Sequence, residues 1–230
     1  MILLILVDDN CAVLFNLTFC SEVAYAVPSN PDLSVETLRS IYDNYASKMY
    51  QNFDYSLQQI QCNTTPESMY SLAVGCSNCS TAYKQWLCSV SIPRCADFTS
   101  QEWYLQVRNA GQNFINGSSL PANDPLRQTV ATNQSRNPLI DTEIMPGPYK
   151  EILPCSDICY SLVRSCPAAL GFGCPTGKWL NASYGWRDPN GDITCSYLGA
   201  AYYLNSSPRM QLWLGVYILS GMWMVFWAFF

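Results

Sequence analysis

The chain has 230 residues, which is enough for one large domain or two small ones, and its 49% apolar composition can supply a core. Its formal charge of −5 and pI near 4.6 argue against nucleic-acid binding, which needs a basic surface. Histidine is absent, so the commonest general base and metal ligand is missing. We therefore expect a protein that is not an enzyme and that has neither a cofactor nor a small-molecule substrate.

Cysteines and glycosylation sequons are both numerous. The chain carries 12 cysteines, an even number, and seven Asn-x-Ser/Thr sequons. Together they indicate the secretory route through the endoplasmic reticulum and an oxidising compartment. We predict that the cysteines form disulfides, whose connectivity the sequence leaves open. The cysteines are Cys11, Cys20, Cys62, Cys76, Cys79, Cys88, Cys95, Cys155, Cys159, Cys166, Cys174 and Cys195. The predicted glycosylation sites are Asn16, Asn63, Asn78, Asn116, Asn133, Asn181 and Asn205.

Residues 1–30 are predicted to form short strands, in Met1–Val7 and Ala12–Leu17. The Met1–Val7 run has no basic flank and leads into Asp8 and Asp9, which makes it a poor secretory signal. We interpret residues 1–30 as the remnant of a longer amino-terminal region.

A long amphipathic helix is predicted to follow Ser34, which can cap it, and Glu36 suits the positive end of its dipole. Apolar residues recur there at spacings of three and four. They are Leu38, Ile41, Tyr42, Tyr45, Met49, Phe53, Leu57 and Ile60. An aromatic stripe of this kind is more often core than a ligand groove, and we take it as core.

A second helix is predicted to start at the Cys76-x-x-Cys79 motif. This spacing is shared by redox pairs and by half zinc sites, but a redox pair needs a strand–helix context and zinc needs a second matching pair. We favour disulfide anchors. Residues 96–147, rich in Asn, Ser, Gly and Pro, are predicted to form a long surface loop inserted in the domain.

The stretch from Pro148 to Pro175 organises the rest of the prediction. It contains four cysteines within 20 residues, and Ile158, Leu162 and Val163 lie among them at helical spacing. A helix this short is marginal alone in water, because its nucleation is costly. We therefore predict a short helix that several crosslinks hold to its neighbours.

The C-terminal residues differ in character. The 19 residues Leu212–Phe230 carry no charge and, at about 1.5 Å each, just cross a hydrocarbon layer of about 30 Å. Residues 200–211 form a spacer before them. We predict either a transmembrane helix or the removable tail of a glycosylphosphatidylinositol signal, slightly favouring the latter. Candidate attachment sites are Gly199 and Asn205.

Several motifs resemble known proteins. The cysteine pattern of Cys79 to Cys95, followed by Cys155 to Cys174, resembles the Frizzled-type cysteine-rich domain. More closely, longer runs look like the fungal stretch-activated calcium-channel regulatory subunit family, which is similar to the animal sodium-leak-channel ancillary subunit. These runs are Phe19–Asn30, Tyr42–Tyr45, Ala82–Cys88, Ile92–Cys95, Ser135–Pro138 and Pro146–Cys155.

The resemblance implies a mainly α, disulfide-rich, Frizzled-like cysteine-rich domain over residues 31–199, with long loops and a few short strands. It also implies an extracellular body at the plasma membrane that docks on a large four-repeat pore-forming subunit and supports calcium influx. The alternative is a membrane-anchored, Frizzled-like ligand-binding receptor ectodomain.

Four acidic residues, Asp141, Glu143, Glu151 and Asp157, invite a further hypothesis. Their summed field would concentrate cations at a channel mouth. An ordinary solvated face is the favoured interpretation, since scattered acids are common on protein surfaces.

Overall fold

The computed structural model describes residues 10–63, 74–128 and 133–199. Two long helices, two short ones and five short strands make up its regular structure, together with single turns of 3₁₀ and π helix. The strands are β1 (Cys11–Leu14), β2 (Tyr25–Pro28), β3 (Arg94–Ala96), β4 (Leu105–Arg108) and β5 (Tyr149–Ile152). The helices are α1 (Val35–Leu57), α2 (Cys76–Ser91), α3 (Ser156–Ser165) and α4 (Lys178–Ser183).

Helix α1 starts where the sequence predicts. The Ser34 hydroxyl accepts a hydrogen bond from the Thr37 N–H at 3.1 Å, which satisfies one of the free donors of the first turn. Its apolar face is buried, and Phe53 stacks on Tyr83 of α2 with ring centroids 3.7 Å apart. The aromatic stripe is therefore core, as predicted, and Ile60 lies in the turn beyond the helix end.

Two small antiparallel sheets complete the body. Strand β1 pairs with β2, and β5 lies between β3 and β4 in the second sheet. The main core includes Leu14, Leu38, Tyr42 and Ile92, drawn from the first sheet, α1 and the end of α2. Of the predicted strand Ala12–Leu17, only the first three residues belong to β1 (Cys11–Leu14), and residues 15–17 lie beyond its end. Met1–Val7 lies outside the described residues.

The 96–147 segment differs from the predicted surface loop. It supplies β4, an edge strand of the second sheet, and a π-helical turn (Ile140–Ile144) whose two end residues are fully buried. The Asn, Gly and Pro residues that indicated a loop form the turns between these packed pieces. Asn109, for example, is buried with a left-handed φ of 57°. Only part of this segment, such as the turn around Asn116, is exposed.

All twelve cysteines are paired. The bridges are Cys11–Cys95, Cys20–Cys88, Cys62–Cys76, Cys79–Cys166, Cys155–Cys195 and Cys159–Cys174. Cys76 and Cys79 bond to different partners, so the Cys-x-x-Cys motif is a pair of disulfide anchors, as favoured. Helix α3 has a bridge at Cys159, and the residues that flank it, Cys155 and Cys166, each form another.

Within the described ranges, no helix combines the length and apolar character needed to cross a bilayer. The predicted spacer 200–211 and the apolar segment Leu212–Phe230 lie outside those ranges.

We predict that the bridges contribute unequally to stability. Removing Cys79–Cys166 by double alanine substitution should lower the free energy of unfolding by about 4.5 kcal/mol, and removing Cys62–Cys76 by about 3 kcal/mol. The first bridge closes a separation of 87 residues and the second one of 14, while Cys79 and Cys62 are both buried. Urea unfolding of the two variants under non-reducing conditions measures the difference. Equal losses would contradict the expected dependence on loop length.

Candidate functional site

The junction between β5 and α3 is held to several other parts of the described chain. All four residues of β5 are buried, and the strand has neighbours on both sides. The chain then enters α3, whose start is held by a hydrogen bond from the Ser156 N–H to the Gly185 carbonyl at 2.9 Å. The predicted organising stretch is thus fixed to both the second sheet and the C-terminal turns.

A buried charge cluster lies under this junction. The Glu151 carboxylate is fully buried and accepts hydrogen bonds from the Nε–H groups of Arg108 and Arg136, each at 2.6 Å. Burial by itself would raise the pKa of Glu151. The positive charges of Arg136 and Arg108 and their hydrogen bonds outweigh that effect and hold the pKa below its ordinary value of 4.5. Glu151 therefore stays ionised inside the protein.

The same cluster extends to α4 and to the π-helical turn. Arg136 also donates from Nη2 to the Ser183 carbonyl at 2.8 Å, which ties the end of α4 to the sheet. Asp141 accepts from the Asn109 amide at 2.9 Å and from the Ser135 N–H at 3.0 Å. The Ser135–Pro138 motif is therefore a structural connector among three elements. Pairing of Arg108 and Arg136 with Glu151 was not predicted, because each arginine lies in a stretch that the sequence indicates as loop.

The four acids do not form one cation-attracting face. Glu151 is inside the protein, so that hypothesis is wrong for it, and Asp141 is occupied by hydrogen bonds within the body. Asp157 pairs with Arg187 at 2.6 Å on the surface of α3, and Glu143 is exposed on the π-helical turn. Among the described residues, no group of three or more acidic or cysteine side chains is placed to hold a metal ion.

A shallow cavity of about 320 Å³ opens beside the second sheet. Trp103 and Trp186 stand at its rim with 79% and 52% of their surface exposed, while Leu153 and Tyr184 are buried beneath. Asn181 of α4 also lines the cavity. Its remaining lining residues are Tyr104, Leu105, Gln106, Gly185 and Thr194. Sequence reasoning missed this site because its two tryptophans lie more than 80 positions apart in the chain.

The predicted glycosylation sites that the structure describes have the exposure that modification needs. Six sequon asparagines lie in the described ranges and all six are exposed: Asn16, Asn63, Asn78, Asn116, Asn133 and Asn181. Gly199 is half-buried and its N–H donates to the Glu22 carbonyl at 3.1 Å, whereas Asn205 lies outside the described residues. Glycosylation and lipid attachment at these positions stay predictions.

We predict that Glu151→Gln lowers the free energy of unfolding by about 3–5 kcal/mol, because it leaves two arginines beside a neutral buried group. The matched control is Glu36→Gln. The Glu36 side chain is 85% exposed in its pair with Arg39, so its loss should cost about 0–1 kcal/mol. Urea unfolding at neutral pH tests both variants, and similar losses in the two would contradict a special role for the buried carboxylate.

The same cluster predicts a pH dependence. Because the pKa of Glu151 is lower in the folded than in the unfolded chain, its stabilising contribution is fully present above a pH of about 4.5. The contribution is lost as the pH falls through the folded pKa. Unfolding free energies measured from neutral pH downward should therefore fall more steeply below this value in the parent chain than in Glu151→Gln. Parallel curves for the two proteins would refute the assignment.

The comparisons with known proteins agree with the motif resemblance. Residues 5–201 match the family described as "Mid1: Stretch-activated Ca2+-permeable channel component". The chain is 43% identical over 223 residues to the stretch-activated cation channel yam8 of Schizosaccharomyces pombe, covering 96% of this chain and 40% of that protein. It is 38% identical over 197 residues to the stretch-activated cation channel MID1 of Saccharomyces cerevisiae, covering 83% of this chain and 32% of that protein.

A more distant relative is the MID1 channel of Cryptococcus neoformans, 25% identical over 164 residues, with 71% of this chain and 26% of that protein covered. The chain thus spans well under half the length of these relatives. No solved structure matches, so the likeness to a Frizzled-type domain stays a prediction. With the match over residues 5–201 and the two relatives above 35% identity, the chain belongs to the Mid1 family of stretch-activated Ca²⁺-permeable channel components.

Proposed function

We propose that this chain is the extracellular body of a regulatory subunit in a plasma-membrane stretch-activated calcium channel complex. In this proposal it reaches the cell surface through the endoplasmic reticulum and docks on a large four-repeat pore-forming subunit, thereby supporting calcium influx. Membership of the Mid1 family supports the channel context. Six disulfides support the extracellular placement, since such bonds persist in oxidising compartments.

The observation that carries the docking proposal is the rigid setting of α3. Its three bridges join it to Cys79 in α2, to Cys174 and to Cys195, so the helix cannot shift without moving these segments as well. Ordering a flexible surface on binding costs free energy, and a surface fixed in advance avoids most of that cost. A rigid helix face is thus suited to hold a partner's extracellular loops in one arrangement.

The outward face of α3 has the composition of an interface. Tyr160 and Val163 are 41% and 37% exposed, and charged Asp157 and Arg164 flank them. A central aromatic with a polar border is typical of contact surfaces. No sequon lies between Asn133 and Asn181, so no predicted N-linked sugar starts from this stretch. We therefore place the docking surface on α3.

Docking alone would not regulate a channel. A bound subunit shifts an opening equilibrium only if its affinity differs between the closed and open states. A rigid body provides such a difference simply, because loops that move on opening change their fit to a surface that does not move. The same contact also stabilises the assembled complex through its binding free energy.

We predict that Tyr160→Ala combined with Val163→Ser reduces recovery of the pore-forming subunit about tenfold, because a central aromatic contact is lost. The measurement is co-purification from detergent-solubilised membranes, followed by calcium influx in stretched cells. The control is Tyr55→Ala, which removes a 63% exposed tyrosine from α1. We expect that control to behave like the parent chain.

The experiment distinguishes an error in the proposed function from an error in the proposed docking surface. If the parent chain itself recovers no four-repeat subunit, the proposed function is wrong. If the parent and the α3 variant recover it equally, assembly stands and the α3 surface is wrong.

A further inference from the structure

We propose that the cavity between Trp103 and Trp186 is a seat for the first N-acetylglucosamine of a glycan on Asn181. The proposal rests on the sequon at Asn181, and it is independent of the proposed channel function. Asn181 belongs to a sequon, is exposed, and lines the same cavity as both tryptophans. The occupant would therefore be attached at the edge of its own site.

The shape of the cavity suits one sugar ring. Its volume of about 320 Å³ lies at the small end of ligand sites, which start near 300 Å³. A pyranose ring has an apolar face of C–H groups, which packs on indole rings, and polar edges that need hydrogen bonds. Trp103 and Trp186 provide the rings, and Gln106 and Tyr104 provide polar groups in the lining.

The walls are held in place before any ligand arrives. Gly185 exchanges backbone hydrogen bonds with Pro154 and Ser156, each at 2.9 Å, which fixes the chain next to Trp186. The Thr194 hydroxyl donates to the Trp186 carbonyl at 2.5 Å, and the Tyr184 hydroxyl accepts from the Trp86 indole at 2.9 Å. Binding therefore requires little ordering of the backbone on the Trp186 side of the cavity.

Because the sugar is covalently attached to Asn181, a weak contact with the cavity is sufficient to hold it there. A free sugar loses its freedom of motion on binding, whereas a tethered one is already held at a high effective concentration near the site. Stacking on two indoles then needs to supply only a small stabilisation to keep the ring seated.

Occupancy would also protect this surface. Two largely exposed tryptophans beside β4, an edge strand, present an apolar patch to other chains. A hydrated sugar over the patch would hide the rings and place hydroxyl groups outward. The same sugar would exclude this face from docking on a protein partner.

The test uses the full 230-residue chain, produced in a eukaryotic secretory host with N-acetylglucosamine labelled with ¹³C at the acetyl methyl. An endoglycosidase trims every glycan to its first sugar, and site occupancy is read by mass spectrometry. Ser183→Ala removes the sequon while keeping Asn181, and so identifies the methyl signal of that sugar in the ¹H–¹³C spectrum. We expect this signal to be displaced upfield by the indole ring currents, away from the sugar signal of exposed Asn116.

Variants then test which residues form the seat. Trp103→Ala and Trp186→Ala should each move the Asn181 signal toward the Asn116 signal without changing occupancy. Trp179→Ala is the matched control, because this tryptophan is 66% exposed on the same helix but does not line the cavity. An unchanged urea-unfolding transition shows that each variant keeps its fold, because the exposed Asn116 sugar gives the same signal in the folded and the unfolded chain.

Four results would overturn the proposal. The first is an unmodified Asn181 in a protein whose Asn116 carries sugar. The second is an Asn181 signal that coincides with that of Asn116 in the parent chain. The third is an Asn181 signal that responds to Trp179→Ala and not to the cavity variants. The fourth is a pair of cavity variants that change only the recovery of a partner protein.

Discussion

Three disulfides converge on α3, a helix of ten residues, and hold it to α2 and to the C-terminal turns. A helix as short as α3 gains too little from its own hydrogen bonds to persist in water. Its crosslinks at Cys155, Cys159 and Cys166 remove most of the alternatives open to the unfolded chain. The small sheets could not hold the fold together alone, because strands of three or four residues bury little surface.

A second constraint is electrostatic and lies at the centre of the second sheet. Glu151 occupies the middle strand with its carboxylate out of water, and two arginines from distant segments neutralise it. A buried ion pair of this kind is weak evidence for net stability, but loss of one partner is costly. Its structural consequence is specific: Arg136 joins the sheet to α4, and thereby fixes the helix that carries Asn181.

A rigid body with two chemically different surfaces suits a protein that acts by binding another protein. The chain offers a fixed helical face on α3 and, separately, a cavity with exposed aromatic rings that no α3 residue lines. In the two proposals, the tryptophan cavity holds a sugar and the α3 face holds a channel subunit, so the two surfaces do not compete for one ligand. Hydrated sugar disfavours protein docking, and the stretch around α3 starts no sugar.

Local patterns in the sequence determined the disulfide-rich class, the cap and buried face of α1, the anchors at Cys76 and Cys79 and the family, because periodicity and motifs are local properties. Only the tertiary structure decided the six pairings, the burial of Ile140 and Ile144 within an apparent loop, and the partners of Glu151. Each depends on residues far apart in the chain. The tryptophan-rimmed cavity is of the same kind, since strand pairing and crosslinks bring its two rings to one place.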